Sequence, residues 1–569
     1  MAKYEVQLHR DKRWINHDLF DHEADATKVA QNLIKNPQCE GVRVVYDRMG
    51  ADGLHRERVV FEQMNREIRQ APVRIVPIDE TNFCKTVEDV YSLESRLTLA
   101  KLLKKYLEQM SLTPSEMLFC YNPMARFMDA DGGLLPSAVD RIVTLHSKMD
   151  EELDPKRHRE EVYRWVDEIG RRSRRAEGEK LLRKVNLEDF AKLVRATQKV
   201  AFVPEEQDGF LKHVIARELT KERSFLGKLE VLLECVSSEL SKEHLNILDG
   251  FIADVLANPS VVQDLLRTRH NLSSALLGLL DLMEGKTDTT AVDDEPEFVT
   301  VLRKMFSEGR LPSGKTVLMD RVCRELGGKQ PLSRNDPGKE HEAFCGMILR
   351  LIRRDGVSGG PAVAGALTRR YGLRLNEGGM TGWKLSIQGV AHLLKDMTRR
   401  LHYLTAMSRA ADGIGHLTVV AEEVVDTVKQ ARDIHFFVEP KMPTPEKLRL
   451  MTSVHDAVRD SRLPEVLRNR VCGRLDDLVA RYLVDEKVVE KLDDPADSLR
   501  TRAMRLVKFC ASGTVMEGKA LQIARARVLH HLRQPNFVES FTSDVPDPRE
   551  KEGRLRDFYR MLAEAGFQA

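Results

Sequence analysis

Residues Gly309–Thr316, GRLPSGKT, match the pattern G-x-x-x-x-G-K-[ST] in full. In a phosphate-binding loop of this kind backbone amides wrap the phosphate. Gly309 and Gly314 would let the backbone approach, Lys315 would reach the outer phosphate oxygens and Thr316 would hold Mg²⁺. The loop must leave a buried strand at its first glycine and enter a helix at its lysine. TVLMDRVCREL, from Thr316 onward, has an amphipathic helical pattern. Upstream, Glu297–Glu308 places Phe298, Val301, Leu302, Met305 and Phe306 at helical spacing, so a helix is predicted where the loop needs a strand. The nearest apolar run toward a metal-binding acid, Leu417–Glu422, continues as a helical pattern. The residues therefore favour a plain helix, turn and helix, with Gly309 ending the first, Leu311-Pro312 turning the corner and Ser313 capping the second. Nucleotide binding through Gly309, Gly314, Lys315 and Thr316 is the alternative.

Other chemistry-bearing residues are less ordered. His455-Asp456 is the adjacent pair that an HD-type metal phosphohydrolase collects, with His416 or His435 upstream and Asp476 or Asp497 downstream as conceivable partners. A chain with this many His and Asp residues contains such dipeptides by chance, and His17-Asp18 is another. Satisfied histidines are expected, and no metal site, catalytic residue or cofactor is assigned. Lys156–Lys184, with Arg171-Arg172 and Arg174-Arg175 near Tyr163 and Trp165, is the best candidate anion or nucleic-acid surface, but six acidic residues dilute it. A solvated helix with arginines near its C-terminal dipole is the expectation. The glycine-rich stretches Gly356–Gly365 and Gly372–Gly382 bracket a short helix and read as helix connections rather than as a lid. Leu385–Tyr403 carries His392, Lys395, Arg399 and Arg400 without pairing a nucleophile with a base.

The elements that position these residues include a repeat. Leu248–Leu265, LDGFIADVLANPSVVQDL, aligns without a gap on Leu475–Leu492, LDDLVARYLVDEKVVEKL, with seven of eighteen positions identical. Asp249 pairs with Asp476, Ala253 with Ala480, and Val261-Val262 with Val488-Val489. Each copy reads as a helix, a break and a second helix: Asn258 caps and Pro259 opens the second helix in one copy, and Asp485 takes the capping place in the other. His531–Phe541 is a fainter third version. Shared helical periodicity could produce part of this agreement, but the pattern favours duplication.

The fold expected is mostly α: residues 1–70 form a small ββαββ module, 71–286 a helical domain, 287–297 an acidic linker and 298–569 a second helical domain. In the module, strands are predicted at Tyr4–Leu8, Arg13–Phe20, Gly41–Asp47 and Glu57–Gln63, the last two joined by a hairpin loop at Asp52-Gly53, with a helix at Ala26–Ile34 and a core including Trp14, Phe20, Val44 and Phe61. After the extended Pro72–Pro77, Val87 to Met110 reads as one buried helix face, and helices continue to the end, among them single long helices at 208–239 and 385–408.

Ninety basic against eighty-eight acidic residues leave no strong positive field, so nucleic acid is an unlikely partner. The eight cysteines are scattered singly, as in a reducing compartment. No apolar h-region follows the N-terminal basic residues, and no apolar run approaches membrane-spanning length, so a cytoplasmic chain without a membrane anchor is expected. These features point to a non-enzymatic interaction or regulatory protein, a scaffold or adaptor that binds a protein partner or itself.

Overall fold

In the computed structural model, residues 3–10, 13–35, 39, 41–49, 55–64, 73–130, 133–236, 240–267, 269–286, 296–375, 377–411 and 413–567 are described. Strands β1 (Lys3–Arg10), β2 (Arg13–Phe20), β3 (Gly41–Met49) and β4 (His55–Met64) form an antiparallel sheet in the order β2-β1-β3-β4. Helix α1 (Glu23–Leu33) covers one face. Val6, Val42 and Val44 alternate inward to meet Ala26, Ala30 and Ile34, with Phe20 and Phe61 packed at the edge. Trp14 departs from the expected core. It lies opposite His9 on the other face, where its ring meets His9 edge-on and the Arg43 guanidinium sits 4.5 Å from its centre. The Asp52-Gly53 turn lies outside the described residues, but β3 and β4 pair as a hairpin requires. Strand β4 is also tied to a later connection between helices by an isolated antiparallel β-bridge between Arg58 and Glu222 and an Arg223–Glu62 ion pair.

The chain then turns helical. The stretch expected as one helix face is three helices, α2 (Val87–Val90), α3 (Leu93–Leu102) and α4 (Lys104–Met110), because Ser92 caps α3 and Leu103 ends it. Next come α5 (Pro114–Phe119), α6 (Tyr121–Met128), α7 (Leu134–Met149), α8 (Pro155–Gly178) and α9 (Phe190–Val200). Every residue of α5 is buried, which removes the two-sided pattern that betrays a helix in sequence. The long helix expected at 208–239 is two, α10 (Pro204–Leu219) and α11 (Phe225–Glu234), with Ser224 capping the second. After them come α12 (Lys242–Leu256), α13 (Pro259–Leu266), α14 (Leu272–Met283), α15 (Glu297–Ser307) and α16 (Pro312–Leu326).

The remaining helices are α17 (Glu340–Leu351), α18 (Gly360–Gly372), α19 (Gly379–Leu393), α20 (Met397–Ala410), α21 (Ile414–Lys429), α22 (Thr444–Arg459), α23 (Glu465–Asp485), α24 (Val488–Leu492), α25 (Leu499–Ala511), α26 (Lys519–Leu532), α27 (Phe537–Phe541) and α28 (Pro548–Glu564). A two-residue hairpin, β5 (Ile352–Arg353) and β6 (Gly356–Val357), interrupts them. The helix expected at 385–408 breaks into α19 and α20 because the Asp396 carboxylate caps α20, accepting from Thr398 N and Arg399 N. Both glycine-rich stretches are helix connections, with Gly359, Gly360 and Gly379 at positive φ.

By packing, residues 1–269 with 277–319 form one compact unit and 270–276 with 320–569 another. Of the acidic stretch 287–297, residues 287–295 lie outside the described residues. Among the described residues no single helix is long and apolar enough to cross a membrane. Helices α12 and α13 reach that composition only together and are bent by 88° at their junction.

Candidate functional site

The segment before Gly309 is helix α15, so the strand on which a phosphate loop depends is absent there. Gly309 adopts a left-handed φ of 67° and ends α15, as the plain helix-turn-helix pattern requires. Ser313 does not cap the next helix. Helix α16 already begins at Pro312, and the Ser313 and Gly314 amides, those a phosphate would need, donate to the two oxygens of Asp249 at 2.7 and 3.0 Å. A carboxylate thus holds the positive helix end, where an incoming phosphate would meet like charge. Thr316 Oγ1 donates to Pro312 O within its own helix, and Lys315 is exposed.

Asp249 is the repeat residue aligned with Asp476, and Asp476 acts in the same way. Its oxygens accept from Lys519 N at 2.6 Å and Ala520 N at 3.0 Å, at the start of α26. Both carboxylates are buried, as are the aligned pairs Leu248/Leu475, Leu256/Leu483, Val261/Val488 and Val262/Val489. The breaks differ. Asn258 caps α13 through Ser260 N with Pro259 at the first position, whereas α23 runs on through Asp485 and Lys487, at φ 51°, precedes α24. Asp485 therefore does not cap: the second copy delays its break until a left-handed residue stops the helix.

A further repeat position reverses charge. Asp254 on α12 accepts from Ser115 N and Ser115 Oγ at the start of α5 and pairs with Arg96 Nε at 3.0 Å. The aligned Arg481 on α23 donates to the carbonyl of Arg432 just past the end of α21. An acid meets a helix start and a base a helix end, as peptide dipoles favour.

The metal constellation is not assembled. His455 is buried on α22, Asp476 caps α26 and Asp497 pairs with Arg505, and among the described residues no group of three or more His, Cys, Asp or Glu residues is arranged to hold a metal.

The basic stretch, in contrast, lines a cleft. Helix α8 carries Arg171, Arg172 and Arg175 along one wall of a cavity of about 680 Å³, whose other walls come from α2, α5 and α10. The arginines are already matched. Arg172 donates to both oxygens of Glu88 at 3.1 Å and to Glu168 at 2.7 Å, Arg171 donates to Glu168 at 2.8 Å, and Arg175 pairs with Glu206 at 2.5 Å. This pairing leaves little of the uncompensated charge that displaces counterions from nucleic acid.

Sequence reading missed the deeper wall, where Tyr91 stacks on Phe119 at 5.0 Å and Phe210 lies beneath Arg175 at 5.9 Å. Lys212 reaches into the same cleft with its ammonium 5.9 Å from the Phe119 ring centre. Burial lowers its pKa, against a smaller opposing pull from Asp208. His213 beside it is fixed by a 2.8 Å hydrogen bond between Nδ1 and Phe119 O, and burial lowers its pKa too. Burial pushes Tyr91 up to about 12, so its phenol stays protonated at neutral pH. The signal for this wall is spread over three helices distant in sequence.

Comparison with family models, with curated proteins and with solved structures yields no match to the chain.

Proposed function

We propose that the chain is a cytoplasmic helical interaction protein, a scaffold or adaptor that binds a protein partner or a second copy of itself and performs no catalysis. The observation that carries this proposal is the shared use of Asp249 and Asp476: in each copy of the repeat a buried carboxylate ties a helix pair to the start of a later helix. Reuse of a capped helix pair, with the aligned aspartates engaged in holding helices together, favours surface presentation over chemistry. On this proposal the repeat is a duplication.

One surface feature supports a contact. Phe202 is 95% exposed and is followed by exposed Val203 at the turn between α9 and α10, on the rim of the cleft. An aromatic side chain held in water is the kind of group that anchors a protein interface.

The test compares wild type with Phe202→Ser as full-length baits, after checking that both unfold at the same midpoint. Concentration-dependent sedimentation of each reads self-association, and quantitative capture from the native extract reads partners. A dimer or a captured protein that is present for wild type and at least fivefold depleted for the variant is expected. Equal assembly and equal capture by both would overturn the proposal.

A further inference from the structure

The cleft in the first unit has the size of a small-molecule site and, among the described residues of its lining, one cation with no carboxylate within 4 Å. Its volume of about 680 Å³ suits a ligand of drug-like dimensions. Arg171, Arg172 and Arg175 each have a carboxylate partner, whereas among the described residues no carboxylate lies within 4 Å of the Lys212 ammonium, and Asp208, one turn away on α10, acts on it at longer range. The Lys212 ammonium faces an aromatic ring and apolar walls built from Leu118, Phe119 and Phe210, a setting in which an anion gains more than it does in water. Glu205, Glu206 and Asp208 line the same cavity and oppose a highly charged ligand.

We propose that this cleft binds a small aromatic monocarboxylate, with its carboxylate on Lys212 and its ring against Phe119 and Tyr91. A single negative charge matches Lys212, which among the described cations of the lining has no carboxylate within 4 Å, and a flat apolar body matches the stacked aromatic wall. Phosphates and polyanions would meet the five carboxylates of the lining, Glu88, Glu168, Glu205, Glu206 and Asp208, which outnumber its four Lys and Arg side chains. This inference concerns the cleft alone and is independent of the interaction proposed for the Phe202 surface.

The probe is 2-naphthoate, titrated calorimetrically into the full-length protein, with 2-naphthalenemethanol as its neutral counterpart. Two variants separate charge from shape. Lys212→Met removes the cation and keeps the apolar stem. Gly209→Phe fills the cleft from α10, where an added Cβ would meet nothing within 4 Å and the helical backbone accepts any side chain. One naphthoate per chain is expected for wild type, with at least tenfold weaker binding to Lys212→Met, binding to Lys212→Arg within about threefold of wild type, and loss of both compounds in Gly209→Phe. The neutral alcohol is expected to bind wild type and Lys212→Met alike. Absence of naphthoate binding to wild type, or equal naphthoate affinity in Lys212→Met or Gly209→Phe, would overturn the proposal. Unfolding midpoints within 2 °C of wild type for the variants would exclude loss of fold as the cause, and a variant that fails this criterion is replaced by Lys212→Gln or Gly209→Leu with the same expected outcomes.

Discussion

Asp249 and Asp476 show how a side chain can be polar, repeated and buried in an architectural role. Each accepts from two backbone amides at a helix start, one of the two bonds buried and the other partly buried. Replacement by alanine strands both donors. Asp249→Ala and Asp476→Ala are each expected to lose about 2–3 kcal/mol, read from denaturant unfolding, while the asparagine variants, which keep one acceptor oxygen, lose less. A loss no larger than that of an exposed aspartate variant would show that the caps do not hold these helices. The sequence made the aspartates visible as a matched pair, but not their role, because their partners Ser313 and Lys519 lie 64 and 43 residues further along the chain. Lys212 was invisible for a related reason: nothing in its own helix shows that Phe119 faces it and that Tyr91 lines the same cleft.

At the scale of elements, helix α5 concentrates the physics of burial. All six of its residues are buried, so every polar group in it needs a partner. Glu116 closes a capping box with Thr113 and receives Lys228 Nζ at 2.7 Å, and both Glu116 and Lys228 side chains are 0% exposed. Breaking such a pair from one side leaves a charge without water or a partner. Lys228→Met is expected to cost about 3–5 kcal/mol, and the double variant Lys228→Met/Glu116→Gln to recover part of that because glutamine still caps the helix. Additive losses in the two single variants and the double variant would contradict this coupling. Helices with one wet and one dry face, such as α7 through α9 and α22 through α26, were legible from periodicity. Helix α5, fully buried, and hairpin β5-β6, two residues per strand, carried no periodic signal.

At the scale of the molecule, buried histidines set how the fold responds to acid. His146 and His213 in the first unit and His402 and His531 in the second all have pKa values lowered first by burial. His146 shares a 2.7 Å hydrogen bond with His158, and His531 contacts Asp493 at 2.7 Å. The unfolded chain takes up these protons near pH 6.5 and the folded chain only at lower pH, so the unfolded state binds more protons in that window. Stability is therefore expected to fall as pH drops from 7.5 to 5, by up to about 1.4 kcal/mol per pH unit for each such histidine. A stability flat across that range would contradict it. The mostly helical architecture with its N-terminal sheet was readable from composition and pattern, since strand alternation and helical spacing are local signals. The cleft was not, because its walls meet only on folding. The central claim, that the chain works by binding a protein at the Phe202 surface, is tested most directly by cross-linking mass spectrometry on the full-length protein in its native extract. Intermolecular cross-links from exposed Lys192 and Lys199, on the helix leading to Phe202, are expected and are expected to vanish in Phe202→Ser. Cross-links that persist in the variant, or none from these lysines in wild type, would contradict it.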